Sequence, residues 1–169
     1  MKNVALLAII ILQVGLANAQ RGQPPNGSQG GQGGQMSMPD FNVENAVGIL
    51  KYKPKKVFKK LKIQADSNIL AIATFITAYN QAIDEIHVAN SDKLGDLENI
   101  VNTKRKDAMA NRDTDTMRNI QAEAMQQLAP IRTQLIIVEQ NLNFELKQVL
   151  TEKQYKKWEK YQNSKKEAL

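Results

Sequence analysis

Residues 128–154 read LAPIRTQLIIVEQNLNFELKQVLTEKQ. Leu128, Ile131, Leu135, Val138, Leu142, Leu146 and Val149 recur at steps of three and four. That spacing lines one face of an α-helix with apolar side chains. Pro130 sits inside the run. It removes one backbone N–H and crowds the turn before it, so a kink or curve is predicted there. The run stops at Leu150-Thr151-Glu152-Lys153-Gln154. A Thr followed three residues later by Gln is a capping box: the Thr hydroxyl accepts from the Gln backbone N–H, and the Gln side chain reaches back to the Thr N–H. Leu150 and Tyr155 flank the box as a hydrophobic staple. A long helix is therefore predicted to end here and a last helix to start at a fixed angle, carrying Tyr155, Trp158 and Tyr161 at three-residue steps.

The same period extends upstream. Ile69, Ile72, Ile76, Tyr79, Ile83 and Ile86 form a heptad-like seam, widened by Leu70 and Phe75. Asp66 or Ser67 is placed to cap its start. The pattern pauses at Ala89–Asp92. Either Ser91 caps a new helix that turns Leu94, Leu97, Ile100 and Val101 inward, or one long helix runs through with Asn90 in its seam. Asn111–Asp115 is a polar break in which Asp113 is a good N-cap. From Phe41 to Ile63 the character is mixed. Pro54 suits the first turn of a helix, and Val57, Phe58 and Leu61 then share a face. No period-two alternation is sustained, so no strand is predicted. The predicted fold is all-α: an elongated bundle or cradle of four to five antiparallel helices with long hairpins, over residues 40–169.

The chain opens like an export signal. Lys2 precedes the apolar run Val4–Val14, and Ala17-Asn18-Ala19 is a small-x-small cleavage site. Residues 1–19 are thus predicted to be a signal peptide, with Gln20 the first mature residue and the protein periplasmic. The run is too short for a comfortable membrane span. Because residue 20 is not Cys, a lipid anchor is not expected. Residues 20–39, rich in Gly and Gln, read as a tether unable to bury enough apolar surface to offset its ordering entropy. The chain has no cysteine, which removes disulfides, thiol catalysis and thiolate metal sites. Lys and Arg number 23 against 17 acidic residues, a net charge of +6. Loss of Lys2 leaves +5. That balance favours acidic or mixed-charge partners. Export argues against nucleic acid among them.

The usual signs of catalysis are missing. His87 is the single histidine, too few for the clusters that zinc or nickel sites use. Asp84/Glu85 and Glu152/Glu159 fall on faces expected to be solvated, with no apolar pocket to raise a pKa. The glycines lie in the tether and form no phosphate loop ahead of a helix. We therefore expect neither an enzyme nor a cofactor or metal.

An export signal, small size, helical periodicity and the motif Leu150, Thr151 and Gln154 together resemble the LTxxQ-motif Spy/CpxP family of periplasmic chaperones and envelope-stress proteins. A second copy of the motif, usual in that family, is degenerate here: the corresponding place reads Leu61-Lys62-Ile63-Gln64-Ala65-Asp66. The Gln/Gly tether and lysine cluster look like a divergent member of Bacteroidetes type. The resemblance implies a homodimeric cradle and ATP-independent binding of unfolded or partly folded proteins. Seven lysines fall within residues 51–62. Lysines mixed with apolar side chains can meet both the acidic and the apolar segments of an unfolded client. The candidate client-binding residues are Lys55, Lys56, Phe58, Lys59, Lys60 and Lys62, with a second set of Lys156, Lys157, Trp158, Lys160 and Tyr161. Two other readings are an envelope-stress accessory that binds one sensor protein, and a helical protein that binds anionic surfaces through the lysine stretch. A membrane-surface partner is the less favoured of these.

Overall fold

The computed structural model describes residues 39–64 and 68–169. The predicted signal peptide, all of the tether but Pro39, and the proposed caps Asp66 and Ser67 lie outside the described residues. The helical unit runs from Met38 to Leu169. Its described residues form six α-helices and no strand. They are α1 (Val43–Val47), α2 (Pro54–Leu61), α3 (Asn68–Ala89), α4 (Ser91–Ala110), α5 (Thr114–Val149) and α6 (Glu152–Lys166). The fold is all-α, as its periodicity predicts. Six helices replace the expected four to five because the mixed stretch 41–63 holds two short ones and the pause near residue 90 divides a long one.

One hairpin organises the rest. α3 and α4 follow each other along α5 and both pack against it. At one end the Asn68 amide donates to the Val149 carbonyl at 2.9 Å, and toward the other Lys104 pairs with Glu123 at 3.4 Å. The arms are therefore antiparallel. The seams meet as predicted: Ile72, Ile76, Tyr79, Ile83, Leu94, Leu97 and Val101 are buried on one arm, and Ile120, Leu128, Ile131, Leu135, Leu142 and Leu146 on the other. Leu70 is a correction. At 77 % exposure it does not widen the seam, because it lies on the outer side of its helix. Ile100 is likewise exposed rather than inward.

The division at residue 90 is one residue wide. Asn90, not Ser91, occupies the N-cap position of α4, and its side-chain amide donates back to the Ile86 carbonyl at 2.7 Å. The turn between arms follows the expected chemistry. The Asp113 carboxylate accepts from the Thr116 backbone N–H at 2.9 Å and from its hydroxyl at 2.6 Å, capping α5. α5 continues through Pro130 without a break. Pro130 is on an exposed face, so the carbonyl it leaves without a helical partner can be hydrated.

Residues 39–53 form a strap laid antiparallel along the α3–α4 arm. Two asparagines clamp it. Asn102 accepts from the Phe41 N–H at 2.7 Å and donates to the Phe41 carbonyl at 3.1 Å. Asn80 does the same for Tyr52, at 3.0 and 2.7 Å. Between these latches Glu98 accepts from the Val43 N–H at 2.8 Å, His87 meets Glu44 at 3.1 Å, Tyr79 donates to the Leu50 carbonyl at 2.9 Å, and Lys51 pairs with Asp84. Gly48, at φ 90°, ends α1 in the left-handed conformation that a side chain would disfavour. Phe41, Val43, Val47 and Tyr52 enter the core from the strap. α2 then crosses to pack on α3 and α6.

Candidate functional site

The LTxxQ-like motif is a structural joint. Thr151 Oγ1 accepts from the Gln154 N–H at 3.3 Å, and Gln154 Oε1 accepts from the Thr151 N–H at 3.0 Å, so both halves of the predicted box are made. Leu150 is buried and Tyr155 packs against the core, which fixes how α6 leaves α5. Burial holds the Tyr155 phenol above its ordinary pKa, with a smaller push from the Glu159 charge.

Trp158 overturns part of the expected client surface. Its side chain has no exposure, and its indole N–H donates to Asn143 Oδ1 at 2.7 Å. Gln162, also buried, donates to the same oxygen at 3.2 Å. The ring packs on Tyr52 with centroids 4.8 Å apart, and Tyr52 in turn meets Tyr79 at 5.5 Å and Tyr161 at 6.0 Å. These aromatics join strap, α3 and α6. Burial raises the phenol pKa of both Tyr52 and Tyr79, with charge repulsion from the neighbouring Tyr79 phenol adding to the shift at Tyr52 and the Glu139 charge to that at Tyr79. Phe58 and Tyr161 are half-buried and packed on the core, so neither is a free apolar anchor. They fell at helical spacing among lysines because each helix has one buried stripe and a basic remainder.

The predicted lysines do reach the surface. Lys55, Lys56, Lys59, Lys60, Lys62, Lys156 and Lys160 are exposed, and Lys157 is half-buried. Lys156 is engaged by Glu152 at 2.6 Å one turn away. Lys62 takes a left-handed φ of 55° as the residue that closes α2. Lys56, Lys59 and Lys60 of α2 meet Tyr161, Ser164 and Lys165 of α6 along a groove of about 480 Å³. Residues 53–62 and residues 156–165 thereby make one basic surface from two stretches a hundred residues apart.

A second surface was not anticipated. Pro130, Thr133, Ile137, Gln140, Asn141, Phe144 and Gln148 are all exposed. Their spacings of three, four, three, one, three and four place them on one face of α5. That stripe carries no charge over about 27 Å at 1.5 Å per residue. Ile137 is 51 % and Phe144 64 % exposed. The signal was present in the sequence as apolar residues beside the seam rather than in it. Ile136, also exposed, widens the apolar area on one flank.

No three-residue cluster of His, Cys, Asp or Glu able to hold a metal occurs among the described residues. No helix among them is long and apolar enough to cross a membrane. Set against family models, curated proteins and solved structures, the chain matches none.

Proposed function

We propose that this protein is an ATP-independent, chaperone-like binder of unfolded or partly folded polypeptides in the periplasm, similar in role to the Spy/CpxP family. The observation that carries the reading is the charge-free α5 stripe, with Ile137 and Phe144 at its centre and exposed. Large apolar side chains exposed along one uncharged helix face support the reading of an interaction surface. Its width is that of one helix face, which suits shallow and reversible contact with extended chain better than a tight fit to one folded partner. Lysines of α2 and α6 that have no ion-pair partner among the described residues add a long-range attraction for acidic segments that accelerates capture and weakens with salt. Apolar contact then lies on α5 rather than on Trp158. Homodimer formation belongs to the same proposal.

The test mixes the purified protein with a chemically unfolded enzyme and follows light scattering without nucleotide. Suppression at near-equimolar ratio, reduced at high salt, is the expected result. Aggregation unaffected at stoichiometric excess would remove this reading. Capture of a single sensor protein with no effect on generic clients would favour the signalling accessory instead.

A further inference from the structure

We infer that the groove between α2 and α6 is a binding site for a compact oligophosphate anion, either free or presented as the phosphorylated headgroup of an anionic lipid. The groove, about 480 Å³ in volume, is lined by Lys56, Lys59, Lys60, Tyr161, Ser164 and Lys165, with no carboxylate among them. That volume falls within the range of small-molecule sites. Among the described residues Lys51, Lys104, Arg118, Lys156 and Lys166 have an acidic partner, whereas most other cations, Lys93 and Lys106 among them, have none; what sets the groove apart is that four lysines converge on it from two helices. None of the four groove lysines has an ion-pair partner among the described residues.

Charge magnitude separates this site from a merely soluble face. Lys59 and Lys60 lie in the last turn of α2, and Lys165 in the last turn of α6. Cations there complement the helix dipole, worth about −0.5 charge per C-terminus. Two helix ends thus offset about one of four positive charges, leaving about three in a groove a few side chains wide. Solubility does not require like charges to converge from two helices, and their mutual repulsion opposes the packing of α2 on α6. A phosphate carries about −1.5 to −2 at neutral pH, so two phosphates match the surplus in one small volume. An acidic peptide spreads single charges over about 3.3 Å per residue and matches it less well. Lysine is a point-charge phosphate binder on a flexible stem, so the site tolerates varied phosphate geometry. The Ser164 hydroxyl already donates to the Tyr161 carbonyl at 2.8 Å, which leaves the Tyr161 hydroxyl as the neutral donor of the lining.

This site is separate from the α5 stripe, and its test does not depend on client binding. Sodium tripolyphosphate is titrated into the purified protein at constant ionic strength while backbone amide NMR shifts are followed. Saturable shifts centred on Lys56, Lys59, Lys60, Tyr161 and Lys165 are expected. The double variant Lys59→Gln/Lys60→Gln should raise Kd at least tenfold, and Lys93→Gln/Lys106→Gln on α4 should leave it unchanged. Circular dichroism establishes that both variants are folded. Sedimentation with phosphatidylcholine vesicles, alone or containing phosphatidylinositol 4,5-bisphosphate, whose headgroup carries two phosphomonoesters, distinguishes the source. Binding to the acidic vesicles that tripolyphosphate displaces assigns a lipid headgroup, whereas tripolyphosphate binding without vesicle binding assigns a free oligophosphate. Shifts spread without saturation over lysines of every helix, or an unchanged Kd in the folded Lys59→Gln/Lys60→Gln variant, would overturn the assignment.

Discussion

The Trp158 indole donates to Asn143 Oδ1 at 2.7 Å, and that bond fastens α6 to α5 inside the aromatic cluster. Asn143 also accepts from Gln162 at 3.2 Å, so one amide oxygen satisfies two interior donors. Asn143→Ala removes the acceptor and leaves both donors without it. An unpaired interior polar group costs about 1–3 kcal/mol. The urea midpoint should fall accordingly with the slope unchanged. A loss below about 0.5 kcal/mol would mean that water replaces the amide. Because Trp158 is sealed, its fluorescence should resist acrylamide and stay unchanged when an unfolded client binds.

The strap makes a local prediction. Each asparagine latch gives the strap two hydrogen bonds, worth about 1 kcal/mol apiece. Asn80→Ala should therefore speed amide exchange at Tyr52 by about thirtyfold, from roughly 2 kcal/mol of lost protection. Asn102→Ala should do the same at Phe41, leaving Tyr52 protected by its aromatic neighbours. Equal acceleration at both sites in either variant would show that the strap opens as one unit.

The α5–α6 joint should respond to its cap. Thr151→Ala removes the acceptor for the Gln154 N–H, and such a loss costs about 1 kcal/mol. Thr151→Ser keeps the hydroxyl and should restore most of the stability in thermal unfolding. If Ser fails to rescue, the Thr methyl matters more than its hydrogen bond, and the capping box is not what holds the joint.

These responses follow how legible each part was in the sequence. The seams of α3 and α5 were readable because Ile72, Ile76 and Ile83, like Leu128, Leu135 and Leu142, recur with the helical period and are buried. Asp113 and Thr151 were readable because capping is local chemistry. The strap had no such signature. Phe41 and Tyr52 are placed by asparagines 61 and 28 residues away, through side-chain bonds to backbone that no periodicity announces. Trp158 was misplaced because it lies in a lysine-rich helix whose single buried stripe has few apolar members. Ile137 and Phe144 are hidden in the sequence for the opposite reason: they stand beside a strong seam, and apolar spacing alone does not separate an exposed neighbour from a buried one.

The exposed cap at Asp113 has a definite pH sign. Hydrogen bonds from the Thr116 side chain and backbone lower its carboxyl pKa below the ordinary value of 3.8. A lowered folded pKa means that the ionised cap contributes stability above the unfolded pKa and loses it as pH falls through the folded one. Asp113→Ala should thus lower Tm at pH 6 and have a smaller effect near pH 2. An equal effect at both pH values would assign the cap to geometry rather than charge.

The α5 stripe carries the last prediction and the strongest demand on the proposed function. Ile137 and Phe144 are two turns apart on one exposed face, so replacing them removes little buried area. Surface substitutions of this kind usually change stability by no more than about 0.5 kcal/mol. Ile137→Asp/Phe144→Asp should therefore keep the helical spectrum and Tm while placing two negative charges in an otherwise uncharged stripe. If unfolded chain binds there, several-fold more protein should be needed to suppress scattering at every salt concentration. Lys59→Gln/Lys60→Gln, by contrast, should slow capture at low salt and converge with the unsubstituted protein at high salt, because that contribution is long-range and screened. Full suppression by the folded α5 variant would show that the stripe is not the contact surface, whatever the lysine variant does.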